Sequence, residues 1–415
     1  MSNTALPSPP PAEHSAPSAL AAAQEAPKPE RLLSLDAYRG AIMLLMASSG
    51  LGLGAVAAFH RNNAMLQFLA EQSDHATWVG CHLWDLIQPA FMFMVGVALP
   101  WSVAKRRACG QPFGAMFGHA LGRSLLLVLL GVFLSSVGSR QTVWSFNNVL
   151  AQIGLGYPIL FLLAFTRPRI QWLAVFGILF GYWLLFALHP LPPPDFNWRT
   201  VGIGPSWTHL DGFAAHWEKN VNFASWFDDS FLNLFPRERP FVFSAGGYHT
   251  LNFYPSLATM IFGLLAGGLL RNPRPLPQKV LWLVLFGVGG LIAGLAIAWA
   301  GLCPIVKRIW SPSWAIYSGG WVTLLLAAFV AVVDWGGWKR WTFPLVVVGL
   351  NPITLYCLWQ LTPGFIGDSF KIHLGQHVFE ILGEAYALTL QRVAVLLVLW
   401  LIVLWMYRKK FFIRI

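Results

Sequence analysis

A histidine and a carboxylate ten residues apart mark the most chemically loaded stretch of this 415-residue chain, Asp74 to Ser102 (DHATWVGCHLWDLIQPAFMFMVGVALPWS). The stretch begins polar, with Asp74, His75 and Thr77, and ends as an apolar run from Leu83 to Ala104. Asp85 sits just inside that run. A charge within a segment long enough to cross a bilayer marks a functional site by default. A histidine beside a carboxylate is an oriented base or nucleophile. One straight helix through both residues would hold them roughly 15 Å apart. Contact therefore requires the chain between His75 and about Gly80 to fold back as a loop. Pro89 crowds the carbonyl four residues back, that of Asp85, so the helix should loosen where the carboxylate sits. The plainer reading is a surface histidine and a buried aspartate that ties two helices together.

The elements that must position these groups are membrane helices. The chain is 56% hydrophobic and 11% charged, with a mean hydropathy of +0.58. A soluble domain carries about 25% charged residues. The 21 Trp and 31 Phe suit interfacial belts and large buried surfaces. Cys81, Cys109, Cys303 and Cys357 are scattered without ligand spacing, so no metal site and no disulfide framework is expected. The net charge of +11 collects at the ends of apolar runs. That is a topology signal and excludes nucleic acid as the expected partner.

Residues 1–30 are Ala-, Pro- and Ser-rich and read as a disordered tail without a secretory apolar core. Ordered chain, residues 31–415, should hold about ten spans, near 37–58, 83–104, 114–138, 147–166, 170–189, 249–270, 279–301, 313–333, 343–362 and 386–407. Every even-numbered exit is basic: Lys105–Arg107, Arg167 and Arg169, Arg271 with Arg274 and Lys279, Lys339–Arg340, and Arg408–Lys410 with Arg414. Positive charge stays inside, which puts these loops and both termini in the cytoplasm and His75 outside. The long loop 190–248 is outside too, rich in Trp, Asp and Asn, a mixture that suits sugar contact or a cap over the bundle mouth. Lys307–Arg308 breaks the pattern. This basic pair falls outside, so it is either functional or the sign of a miscounted span.

Several spans carry polar faces. Asn252, Ser256, Thr259 and Gly263 recur at helical spacing, as do Asn148 with Gln152 and Asn351 with Thr354. Polar groups in lipid need partners, so these faces should point into the bundle around a polar cavity. Gly263 with Gly267, and Gly290 with Gly294, have the spacing of close helix contacts. Asp36 and Arg39 have the spacing of an i, i+3 ion pair. Arg123, inside the third span, needs a partner.

Together the segments SLDAYRG (34–40), HATWVGCHLWDLIQPAFMFMVG (75–96), NVLAQIGLGY (148–157), LNFYPSLATMIFGLLAG (251–267), KRIWSPSW (307–314) and GLNPITLY (349–356) resemble the transmembrane acetyltransferases related to heparan-α-glucosaminide N-acetyltransferase, in their bacterial branch. The resemblance runs through nearly all of the ordered chain, and 75–96 is its most specific part. It implies transfer of an acetyl group from cytosolic acetyl-CoA to the amino group of a glucosamine across the membrane. It also implies that His75 is the catalytic histidine and Asp85 its neighbouring carboxylate. Two departures stand out. The first span reads MASSGLGLG, with Ser49 and Gly50 where the family carries an Asn. Trp78-Val79-Gly80 stands where the family has a WNG or WHG step.

The resulting expectation is an all-α polytopic membrane protein, about ten transmembrane helices around a polar tunnel, acting as an acyltransferase. Its donor would be acetyl-CoA and its acceptor an amine or hydroxyl of a sugar or glycan on the outer side. His75 would act as base or nucleophile, with Asp85 orienting its ring. Asn252, Ser256, Asn351 and Thr354 would bind substrate at the thioester oxygen. Lys105, Arg106, Arg107, Arg271 and Arg274 would hold the phosphates of CoA, in competition with plain topological bias. The partners are the lipid bilayer, of a bacterial inner membrane, and these substrates; a homo-oligomer is compatible. The rival class is a proton-coupled transporter of a small polar solute, against which no inverted repeat of the His–Asp segment is found. In a cysteine-free background, an impermeant thiol reagent should reach a cysteine placed at 75 from outside and one placed at 106 only from inside. Labelling of both from one side would refute the ten-span arrangement.

Overall fold

The structure is a computed structural model that describes residues 32–413. The reading of residues 1–30 as a tail, and Arg414 with its topological role, lie outside the described residues. Among the described residues every regular element is a helix, and one isolated β-bridge joins Val79 to Val306.

The first span breaks in two. α1 (Leu33–Ala47) and α2 (Leu53–Phe59) flank a turn in which Ser49, Gly50, Leu51 and Gly52 all have φ between 50° and 69°. Two glycines take this left-handed backbone freely, whereas Ser49 and Leu51 hold it under strain. The Trp359 indole donates to Ser49 Oγ at 2.9 Å, and the Arg392 guanidinium donates to the Ser49 carbonyl. α3 (Ala64–Gln72), N-capped by Asn63, leads to the His75 loop. α4 (Ile87–Ala108), α5 (Phe113–Ser136), α6 (Val149–Leu163) and α7 (Pro168–Ala187) follow. After the long loop, with its own α8 (Phe223–Leu232), come α9 (Phe253–Arg271), α10 (Leu276–Trp299) and α11 (Pro312–Phe329). α12 (Phe343–Gly349) and α13 (Pro352–Leu361) form a pair bent by 69°, and α14 (Pro363–Leu374) precedes α15 (Ala387–Arg408).

Among the described residues eight segments are long and apolar enough to cross a membrane, and nine if the bent pair is one span. The expected fourth span is the exception. α6 has 15 residues, about 22 Å, against a hydrocarbon core of about 30 Å. It still connects the two ends of the bundle: Asn148 at its cap lines the His75 cavity, and Phe165, just beyond its other end, stacks under Arg107. The protein is a multi-pass helical membrane protein.

Backbone contact between helices replaces hydrophobic drive, because lipid is as apolar as Leu. On α4 and α9, a Cβ added at Gly96, Gly263 or Gly267 would land on the carbonyls of Met260, Phe93 or Val97. Gly290 and Gly294 of α10 press on Gly320 and Tyr317 of α11 in the same way. The 190–248 loop is an ordered cap. Its Trp217 lies fully buried in a cluster with Trp78, Tyr182 and Phe186. The buried Glu218 carboxylate accepts from the Trp207 indole at 2.9 Å and the Leu210 amide at 2.8 Å.

Gly263 and Gly268 give a direct contrast. Gly263→Val must push two backbones apart and should cost on the order of 3 kcal/mol or more. Gly268 has open space before it, so Gly268→Val should stay within about 0.5 kcal/mol of the parent. Thermal unfolding in detergent measures both, and equal losses would refute the α4–α9 seam.

Candidate functional site

The loop between α3 and α4 is folded back by three ties. Gly80 takes φ +121° and donates its amide to the Ile305 carbonyl at 2.9 Å, beside the Val79–Val306 bridge. The Trp78 indole donates to the Trp217 carbonyl at 3.1 Å. The Leu83 amide donates to Gln72 Oε1 at 3.0 Å. This fold-back brings His75 to Asp85, as contact between them required.

Asp85 is fully buried, and both of its oxygens are engaged. Oδ1 lies 2.7 Å from His75 Nδ1, while Oδ2 accepts the amides of Ala76 at 3.1 Å and His82 at 3.0 Å. Asp85 is thus the acidic half of a capping box on a 3₁₀ turn, Leu83–Leu86, ahead of α4. The expectation of a carboxylate inside a proline-loosened helix is corrected here. Pro89 occupies the first turn of α4, where its missing N–H costs little. With the carboxylate accepting at Nδ1, the neutral ring carries its proton there and its lone pair on Nε2. The His75 side chain is 32% exposed and lines a cavity of about 1050 Å³.

Lys307 completes the cluster. Its Nζ lies 3.0 Å from His75 Nδ1, 3.3 Å from Nε2, 3.6 Å from Asp85 Oδ1 and 3.3 Å from Tyr248 Oη. The ring lone-pair directions diverge in the plane. An ammonium at like distance from both nitrogens therefore stands over the face of the imidazole. Burial pushes the Lys307 ammonium down to about 8, with the Asp85 charge opposing and Arg308 assisting. Burial pushes the Tyr248 phenol up to about 12. Burial, then the Asp85 charge, push the Cys81 thiol up to about 12.

The polar face of α9 positions Lys307. Asn252 Nδ2 donates to the Arg308 carbonyl at 2.7 Å, and Thr259 accepts from the Trp310 indole at 3.3 Å. Ser256 Oγ donates to Phe253 of its own helix. Ser311 closes the loop by donating to the Pro304 carbonyl at 2.7 Å. The Arg308 guanidinium donates to the carbonyls of Gly246, at 2.8 Å, and Ala76, so it clamps the cap to the His75 loop.

None of the four residues expected to bind substrate lines the His75 cavity. Asn252 Nδ2 and Ser256 are engaged as above, while Asn252 Oδ1 is buried without a partner. Asn351 holds the C-terminal segment, donating to Phe411 O and accepting from Ile413 N, each at 3.1 Å. The Thr354 hydroxyl is buried without a partner. Of the four, Asn252 and Asn351 make tertiary ties, Ser256 bonds within its own helix and Thr354 has no partner. Lys105, Arg106, Arg107, Arg271 and Arg274 do not line the cavity either. Arg106 donates to Gln111, Arg107 stacks on Phe165, and Arg271 donates to the Pro100 carbonyl. Arg271 and Arg274 instead border a second, largely apolar cavity of about 1320 Å³. On α1 and α4 the His75 cavity is lined by Met46, Ile87, Gln88 and Phe91.

Lys307, left open in the sequence as either functional or the mark of a miscounted span, lines the cavity, as do Tyr248, Gln88 and Arg392, which sequence reading missed. A signal existed for Lys307 alone, as the basic pair at the wrong end of the charge pattern. Gln88 donates to Gln152 at 2.9 Å, and Arg123 finds its partner in Tyr157, at 3.1 Å.

A multi-pass bundle with a His–Asp–Lys cluster facing a cavity is thus the class of protein that fold and site define. No protein-family model matches the chain. Heparan-alpha-glucosaminide N-acetyltransferase of Homo sapiens is 24% identical over 436 residues, and that of Mus musculus is 23% identical over 429. Each match takes in 93% of this chain, which spans about 60% of the length of these relatives. The chain is a distant homologue of that family.

Cys81 reports on the closed loop. A thiol at about 12 is thiolate at pH 8 about a thousandfold less often than an ordinary one. Maleimide should therefore label exposed Cys109 on the order of a thousandfold faster than Cys81, and Asp85→Asn should speed Cys81 by removing one of the two causes. Equal rates for Cys81 and Cys109 in the parent protein would show that the loop is open.

Proposed function

We propose that this protein is a membrane acetyltransferase that moves an acetyl group from acetyl-CoA to an amino or hydroxyl group of a sugar or glycan across the membrane. The observation that carries this reading is His75. Its Nδ1 is held by a buried carboxylate, and its Nε2 is left with a lone pair beside a cavity. The homology supports the same chemistry.

In this reading the acceptor stands in the cavity with its N–H or O–H toward Nε2. His75 removes the proton as the acceptor attacks the thioester carbon. Asp85 keeps the ring in one tautomer and offsets the imidazolium charge that develops. The chain's basic end would hold the CoA phosphates. The thioester arm would then run along α4 between Arg106 and Phe91, fifteen residues or about 22 Å apart. The outer side is assigned to His75, and the cytoplasm of a bacterial inner membrane to Lys105–Arg107 and both termini, by the distribution of basic residues.

The broken spans at Ser49–Gly52 and between α12 and α13 favour a second reading, a carrier of a small polar solute, because unwound helices line carrier sites. Purified protein with labelled acetyl-CoA and glucosamine separates the two. A transferase releases CoA and labels the amine, and a carrier does neither.

Given transfer, His75→Ala should lower turnover by about two to four orders of magnitude while acetyl-CoA still binds. Asp85→Asn should also be severe, and the double variant little worse than His75→Ala, since groups acting as one unit are non-additive. Multiplying losses would dissolve the dyad. Stoichiometric CoA release without acceptor, leaving an acid-labile label on His75, would replace the base role with an acetyl-histidine relay.

A further inference from the structure

Resting on the acetyltransferase reading, we infer that Lys307, with the Tyr248 hydroxyl, is the oxyanion-binding group of the reaction. The two would hold the thioester carbonyl oxygen beside His75 Nε2.

Three observations carry this. The first is position. The ammonium and Nε2 lie 3.3 Å apart, and both residues line the same cavity. An acyl carbon within reach of a nucleophile deprotonated at Nε2 therefore brings its oxygen to Lys307. The second is free donors. The Lys307 ammonium has three protons. One is directed to Tyr248 Oη, the Asp85 carboxylate stands 3.6 Å away, and the face of His75 takes no in-line bond. Tyr248 Oη accepts from Lys307, so its own proton is left to donate into the cavity. The third is cost. Lys307 is 5% exposed, and a lysine so deeply buried is rare unless paired. Asp85, at 3.6 Å, is its ion-pair partner, and because His75, Ala76 and His82 already engage both carboxylate oxygens, that pairing holds the ammonium at the cavity wall by charge.

The step balances. The acceptor lone pair forms the new bond to the thioester carbon, and the carbonyl π pair moves onto oxygen, where Lys307 and Tyr248 receive it. His75 Nε2 takes the acceptor's proton. Collapse re-forms the C=O, breaks the C–S bond and expels the thiolate, which takes the proton from His75. Lys307 gives up no proton and no bond. Were it acylated it would form a stable amide, so a relay through Lys307 is excluded by its chemistry.

The pH dependence follows from the groups around Lys307: His75 and Asp85 on the loop and turn before α4, Cys81 beside them, Tyr248 at the end of the cap and Arg308 next in sequence. The ammonium is charged below about 8 and is lost above it. Activity that needs the charge therefore falls as pH rises through about 8.

The test uses full-length protein in detergent with acetyl-CoA and a glucosamine acceptor. Lys307→Met should lower kcat by about a hundredfold or more and leave the donor KM within a few fold. Lys307→Arg, whose charge persists, should recover part of the rate and lose the alkaline limb near 8. Tyr248→Phe should cost on the order of tenfold. In infrared difference spectra, the carbonyl band of bound ¹³C-acetyl-CoA should lie at lower wavenumber in the parent than in Lys307→Met. A structural role alone would not move that band. Near-parental kcat in folded Lys307→Met, an unchanged alkaline limb in Lys307→Arg or an unmoved carbonyl band would each overturn the assignment. Absence of acetyl transfer by the parent protein would instead overturn the acetyltransferase reading itself.

Discussion

Everything at the cavity depends on one buried carboxylate. Asp85 has no exposed surface, in a segment long and apolar enough to cross a bilayer. A charge there is stable only with donors for both oxygens and a compensating cation. Two of those donors are backbone amides, of Ala76 and His82, which lie before Asp85 in the chain. To reach Asp85 they force residues 75–82 back across the start of α4. The third donor is His75. The demand of one anion for partners thus sets the loop's path, the histidine's tautomer and the place of Lys307.

The surroundings are built to keep that loop closed. The Val79–Val306 bridge couples it to the segment carrying Lys307, while Trp78 plugs into the aromatic cluster of the cap. Arg308 joins cap and loop through two carbonyls. From below, α9 supports the Lys307 segment through Asn252 and Thr259, and α9 is itself locked to α4 by glycines that allow backbone contact. His75 and Lys307 are 232 residues apart in sequence, and their relative position depends on this seam together with the direct ties of Val79 to Val306 and Arg308 to Ala76. The cap contributes a single residue to the cavity lining, Tyr248, so the remainder of its aromatic mass serves packing.

Only part of this was legible in the sequence. Composition and basic exits determined a multi-pass helical bundle, since the bilayer imposes length, apolarity and charge sidedness residue by residue. The His75–Asp85 relation was legible because both lie within one short stretch, where a single fold-back decides contact. The glycine spacing of α9 and α10 was legible because it states a local requirement, the absence of a side chain. Tertiary structure alone decided the rest. Asn252, Ser256, Asn351 and Thr354 carry the same inward periodicity whether a helix faces a cavity or another segment's carbonyl, so spacing could not tell ligand contact from structural tie. Lys307 was visible only as a charge on the wrong side of a pattern. Its partner is named by no local rule, because electrostatic pairing depends on distance in space, and that distance was set by the packing of α9 on α4.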